Sequence, residues 1–292
     1  MTSAVLHDIV FELPHIRLAG LTNGNVGKPL LLGLHGWLDN ANSFVPMAPC
    51  LNDFHFIAID WPGHGLSQHR PAGTEYNQLD YIDDLHQLIV SQGWRDVSIV
   101  GHSMGGILGS IYAAVFPEYV KALVSIDAYG PIFSDHTVET IRDGILSRHQ
   151  RREKPQQQTP IVFSRLVKQR AAHSDLDNEN VTLLLSRAVE WHSQEQSILH
   201  RLSVWRNDKR LRNQSLLRLT ETQVRALMAA VECPVLIVKA ANGLVAKHAT
   251  DKQRSGWFSN ARIVEVEGGH HCHMQYPASI CSQIGQFVSL NE

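Results

Sequence analysis

Val97-Ser98-Ile99-Val100-Gly101-His102-Ser103-Met104-Gly105-Gly106 is the stretch on which the fold turns. Four mostly apolar, β-prone residues run into Gly-His-Ser-Met-Gly, and a small-residue helical run follows from Gly106 to Phe116. The pattern is strand, sharp turn, helix, with Ser103 at the apex. Gly-x-Ser-x-Gly in that setting lifts a hydroxyl clear of a sheet edge. Gly101 and Gly105 flank the serine because side chains there would collide where strand and helix close on each other. The backbone N–H of Met104 opens the helix and points where a negative oxygen would form.

Outward from the turn, the chain alternates strand-like and helix-like segments. His7 to Leu13 and His15 to Leu21 read as an antiparallel pair at a sheet edge, joined at Pro14. Pro29 to Leu34 and Phe54 to Ile59 are continuous apolar runs, as expected of strands buried on both faces. Tyr76 to Gln92 has helical spacing, and Val120 to Ile126 is another strand. After Gly130-Pro131 about a hundred residues, to Glu232, show helical spacing and no clear strand, as in Val181 to Leu185 and Leu211 to Leu227. Pro234 to Lys239 and Arg262 to Val266 resume the strand pattern, and Ile280 to Leu290 reads as a closing helix. Gln156-Gln157-Gln158 is a short polar run. The order implies an α/β fold with a mostly parallel sheet, a core at 1–130 and 233–292, and a helical insertion at 131–232. His35, Asp60, Ser103, Asp127, Asn242 and His270 all fall at carboxyl ends of strands, where chemistry gathers in such sheets.

Bulk properties narrow the function. Of 292 residues 43% are hydrophobic and 18% charged, which suits a packed globular chain. A net charge of −2 gives no broad pull toward nucleic acid or anionic membrane. No apolar run reaches the ~20 residues of a membrane span, and Met1 to Gly20 has no signal-peptide pattern. Cys50, Cys233, Cys272 and Cys281 lack paired spacing, so reduced thiols and a cytoplasmic location are expected.

The chain resembles α/β-hydrolases, and within them the serine hydrolase-like proteins. The resemblance rests on His35 through Phe44, Asp60-Trp61-Pro62-Gly63-His64-Gly65-Leu66-Ser67, Gly101 through Gly106, Asn207-Asp208-Lys209-Arg210-Leu211 and Gly269-His270-His271-Cys272-His273. It implies an eight-stranded sheet flanked by helices and a helical cap over the serine. Ser103 is then the nucleophile, and His270, seven residues before Pro277, is the base; His271 and His273 are its rivals. A serine here, where dehalogenases and epoxide hydrolases of this fold carry aspartate, favours acyl transfer to water. The backbone N–H groups of Trp37 and Met104 form the oxyanion hole. The usual acid turn reads Lys239-Ala240-Ala241-Asn242-Gly243-Leu244 and holds no carboxylate. Asp127, at the preceding strand end, is the substitute, with Asn242 the alternative.

Histidines are plentiful, 17 in all, and His270-His271-x-His273 could suggest a metal. No carboxylate or second histidine pair has ligand spacing nearby, so no metal and no cofactor are expected. Asp60, Gly63, Gly65 and Ser67 read as a scaffold turn. Trp61 and His64 are candidates for the pocket wall, as are Tyr129, Phe133, Trp191 and Trp205. The function expected is a serine hydrolase acting on a small ester or related acyl compound through an acyl-enzyme. The rivals are a non-catalytic ligand-binding α/β-hydrolase fold, motivated by the missing acid, and carbon–carbon bond hydrolysis or cofactor-free perhydrolysis with the same triad. The partner is a small molecule; the sequence does not fix the oligomeric state.

Overall fold

A computed structural model describes residues 5–154, 158–244 and 254–289. Eight strands form the main sheet: β1 (His7–Glu12), β2 (Arg17–Thr22), β3 (Leu30–Leu34), β4 (His55–Ile59), β5 (Val97–His102), β6 (Val120–Ile126), β10 (Val235–Ala240) and β11 (Ala261–Val266). They lie in the order β1-β2-β4-β3-β5-β6-β10-β11. β1, β2 and β4 pair antiparallel; every other pairing is parallel. Successive residues of the central strands point to opposite faces. Leu32, Leu34, Ile57, Ile59 and Ile99 pack into one core with the helices α1 (Gln78–Ser91) and α2 (Met104–Val115). Leu31, Phe56, Ala58 and Val100 pack into the other, with the 3₁₀ segment Ala41–Cys50 and the helix Pro277–Ser289. Burial on both faces is why these strands read as unbroken apolar runs.

The segment between β6 and β10 carries α3 (Thr137–Arg152), α4 (Phe163–Ala171), α5 (Asn178–Ala188) and α6 (Glu221–Ala229). It also holds three short strands, β7 (Ile161–Val162), β8 (Val189–Trp191) and β9 (Leu202–Trp205), in one antiparallel sheet. The sequence reading expected no strand there. Strands of two to four residues are too short to display alternation. The spacing from Leu211 to Leu227 is not one helix either. A 3₁₀ turn covers Lys209–Arg212, and α6 begins only where Thr220 and Gln223 form a capping box. α4 and α5 share their own small core around Phe163, Val181 and Leu184, whereas Val224 and Met228 of α6 join the main core.

Arg187 of α5 ties this segment to the sheet. It donates to Asp60 Oδ2 at 2.8 Å, to Asp8 Oδ1 at 2.6 Å and to the Gly20 carbonyl at 3.2 Å. Asp60 also accepts from the amides of Ala41 and Leu66, which fits its reading as scaffold. Among the described residues no helix is long and apolar enough to cross a membrane, and the four cysteines are free thiols. Gln156, Gln157 and Leu290 lie outside the described residues.

Candidate active site

β5 ends in His102, and Ser103 follows at φ 51°, ψ −115°, a region that costs a non-glycine residue about 1–3 kcal/mol. Close packing holds it there. A Cβ on Gly105 would stand 1.8 Å from the Leu34 carbonyl oxygen, and one on Gly101 would stand 2.4 Å from the Gly105 carbonyl. The Ser103 amide donates to Ile126 O at 2.9 Å, binding the turn to the end of β6. Met104 is the first residue of α2, so its N–H has no carbonyl one turn back. Trp37 follows β3 on the same edge of the sheet. Its indole Nε1 donates to Leu211 O at 2.9 Å, joining that loop to the 3₁₀ turn Lys209–Arg212.

β6 is the parallel neighbour of β5, and Asp127 is the residue after it, also at positive φ (50°). Its side chain is fully buried. Oδ2 accepts from His270 Nδ1 at 2.6 Å and from the Leu244 amide at 2.8 Å. The His270 backbone is pinned beside the elbow, where His102 Nε2 donates to its carbonyl at 2.9 Å. Asn242 is exposed, and its amide bonds Gly268 O; Asp127, not Asn242, bonds the imidazole. The reason lies next door. A Cβ at Gly243 would stand 2.2 Å from Asp127 Oδ1, so a glycine in this turn leaves the room through which the carboxylate reaches His270.

Behind His270 lies a charge network, buried at Asp39 and His271, that sequence reasoning missed. His271 Nδ1 donates to Asp175 Oδ1 at 2.6 Å, and Nε2 lies 3.3 Å from Asp39 Oδ2. Arg170 of α4 holds Asp39 Oδ1 at 3.0 Å. Burial disfavours the imidazolium, but Asp39 and Asp175 outweigh it and raise the His271 pKa to about 9. His102 is pushed well down by burial and by the surrounding imidazoles, and His273 is lowered to about 3, mainly by burial. Asp39, His102 and His271 bring possible ligand atoms within 4.8 Å of one another. A metal there would have to displace the proton that His271 holds between two carboxylates, with the Arg170 guanidinium alongside. The donor set suits an ion-pair network better than a metal. Its partners are 96 or more residues apart in the chain, and no local spacing signals them.

Beside Ser103 opens a pocket of about 390 Å³, walled by Trp37, Tyr76, Tyr81, Met104, Ile107 and Ile132. The residues named as candidates for its wall do not line it. Trp61 and His64 are fully buried, and Tyr129 belongs to the main core. Phe133 packs on Trp257 and Trp191 on Phe163. Trp205 lines other clefts. Helical or strand position alone does not tell which face an aromatic presents.

A family model described as alpha/beta hydrolase fold matches residues 29–277. A serine hydrolase-like protein of Danio rerio is 32% identical over 274 residues, covering 90% of this chain and 82% of that one. Serine hydrolase-like protein 2 of Homo sapiens is 28% identical over 310 residues, covering 97% and 94%. The crystal structure of a hypothetical protein from Pseudomonas aeruginosa PAO1 superposes with a TM-score of 0.85 at 29% identity, covering 97% of this chain and 98% of that one.

Proposed function

The chain belongs to the α/β-hydrolase family, and from that premise we propose that it is a serine hydrolase cleaving a small ester or related acyl substrate through Ser103, His270 and Asp127. The observation that carries the reading is the 2.6 Å bond from His270 Nδ1 to the buried Asp127 carboxylate. A carboxylate can only accept, so the ring proton sits on Nδ1 and the Nε2 lone pair is left free to act as base. Ser103 Oγ attacks the carbonyl carbon while its proton passes to Nε2, and Asp127 stabilises the imidazolium that results. The developing oxyanion takes the amide hydrogens of Trp37 and Met104; one such donor is worth about 2.7–4 kcal/mol in a transition state. The imidazolium gives its proton to the leaving group, and water then hydrolyses the acyl-enzyme by the same route. Residues 131–232 act as the cap, and the Tyr76, Tyr81, Ile107 and Ile132 wall takes the apolar part of the substrate.

The test is labelling with a fluorophosphonate probe together with turnover of a short-chain p-nitrophenyl ester. The wild type should label on Ser103 and turn over, and Ser103→Ala should do neither. An unlabelled, inert wild type supports the ligand-binding fold instead, and an alanine variant of undiminished activity removes Ser103 from the reaction.

A further inference from the structure

A second cleft, of about 850 Å³, lies against the inserted segment. Eight Arg or Lys side chains and three carboxylates line it, in a chain whose 26 basic residues are outnumbered by 28 acidic ones. Carboxylates neutralise it only in part: Arg70 is paired with Asp84 outside the cleft lining. Asp208 is taken by Arg210 at 2.6 Å, and Glu75 lies 3.8 Å from Arg148. Arg151 donates to Asn213, and neither Arg152 nor Arg206 makes an ion pair among the described residues. Three buried guanidinium Nε–H groups of this one cleft, on Arg70, Arg148 and Arg206, have no hydrogen-bond acceptor among the described residues. Arg70 is otherwise held by Asp84 and Arg148 faces Glu75, whereas Arg152 and Arg206 keep their charge unpaired among the described residues. Planar guanidinium forks match phosphate oxygens in geometry and charge. One carboxylate would leave most of this charge unmet; a di- or triphosphate-bearing group would not.

The cleft adjoins the site of Ser103. Asn213 lines both cavities. The wall between them is the 3₁₀ turn Lys209–Arg212, whose Arg210 is clamped by Asp208 and by the carbonyls of Arg70, Pro71 and Thr74. Arg212 and Arg218 extend the basic character onto the Ser103 side. Asn207-Asp208-Lys209-Arg210-Leu211, singled out in the sequence, is thus the partition between an acyl pocket and a basic cleft.

We propose that this cleft is a polyanion subsite that holds the phosphate-bearing, nucleotide-sized tail of an acyl thioester whose carbonyl reaches Ser103. The inference rests on the serine hydrolase reading and gives it a substrate class. The chemistry balances within that reading. The C–O bond to Ser103 forms, the C–S electron pair leaves with sulfur, and sulfur takes the proton from His270. Water then releases the acid.

Two measurements test it. The first compares kcat/KM for butyryl-coenzyme A with that for butyryl-pantetheine, which keeps the thioester arm and lacks every phosphate. The wild type should favour the phosphorylated thioester by about tenfold or more at low salt, because basic clefts steer and hold polyanions. Arg148→Gln/Arg206→Gln should reduce that ratio to within about threefold. The exposed Arg152→Gln should reduce it in part and serves where the double variant does not fold. The second is calorimetric titration with inorganic pyrophosphate, which needs no turnover. Wild-type binding that weakens with salt and in the variants is expected. Absence of pyrophosphate binding at low salt overturns the subsite. Pyrophosphate binding with equal use of both thioesters overturns the substrate assignment in favour of a free-phosphate site. Neither result touches Ser103 labelling, so failure here is distinguishable from failure of the hydrolase reading.

Discussion

His270 Nδ1 lies 2.6 Å from Asp127 Oδ2 although 143 residues separate them in the chain. The contact follows from strand order: β6 pairs parallel with β5 on one side and β10 on the other, and β10 with β11, so Ser103, Asp127 and the loop carrying His270 all emerge on the same edge. If this carboxylate fixes the ring tautomer, Asp127→Asn should lower kcat by on the order of 10⁴-fold, the loss expected when the orienting acid becomes an amide. Asn242→Ala, at an exposed position on the same rim, should stay within about threefold of the wild type. Steady-state kinetics on one ester substrate decide between them. A large loss at Asn242 and a small one at Asp127 would reverse the assignment.

Gly243 offers a subtler probe of the same bond. Adding a Cβ places it 2.2 Å from Asp127 Oδ1, so either the turn or the carboxylate must yield. Gly243→Ala should cut kcat by about 10²-fold or more, as a misplacement near 1 Å does, with little change in KM. Labelling of Ser103 by a fluorophosphonate should slow in parallel. Unchanged labelling and turnover would show that the glycine is not needed for the acid's reach.

Much of this was legible beforehand. The central strands announce themselves because burial on both faces leaves no polar residue in Leu30–Leu34 or His55–Ile59 beyond the first position. The elbow is legible because its steric demands are local: strand, two glycines and helix within ten residues. The strands of the inserted segment were not, since two to four residues carry no period. Nor was the choice of pocket wall. Tyr76 precedes α1 and reaches the pocket, while Trp191 turns into the small core against Phe163. The Asp39–His271–Asp175 network depends on three segments meeting, which only tertiary packing decides.

Arg187 and Asp60 form a buried pair, with side-chain exposures of 6% and 0%. Arg187→Met removes the cation and leaves the Asp60 carboxylate charged and buried. That should cost about 3–5 kcal/mol, the usual penalty for breaking a buried ion pair from one side. Urea unfolding monitored by tryptophan fluorescence gives the number. Because Arg187 also carries the link from α5 to Asp8 and Gly20, limited proteolysis should cut the inserted segment sooner in the variant. A loss below about 1 kcal/mol would mean that Asp60 is satisfied by its backbone donors alone.

Stability should fall on both sides of neutrality, for opposite reasons. On the acid side, His35, His64 and His273 are held neutral, mainly by burial, with pKa values of about 4, 3 and 3. The unfolded chain protonates them near 6.5, so their contribution is complete above 6.5 and is lost as pH falls toward 3–4. On the alkaline side His271 is held charged to about 9 by Asp39 and Asp175 against the cost of burial. Its contribution is complete below 6.5 and is lost as pH rises through 9, on the order of 3 kcal/mol in all. The groups facing it are Asp39, Asp175, His102, His270 and His273, with Arg170 paired to Asp39. Urea midpoints at pH 6.5, 7.5 and 8.5 should therefore decline in the wild type, before the buried thiols of Cys233 and Cys272, raised to about 12, add their own alkaline limb. His271→Gln should start lower and stay flat across that window. A variant that declines as steeply as the wild type would assign the alkaline loss to some other group and remove the imidazolium from the network.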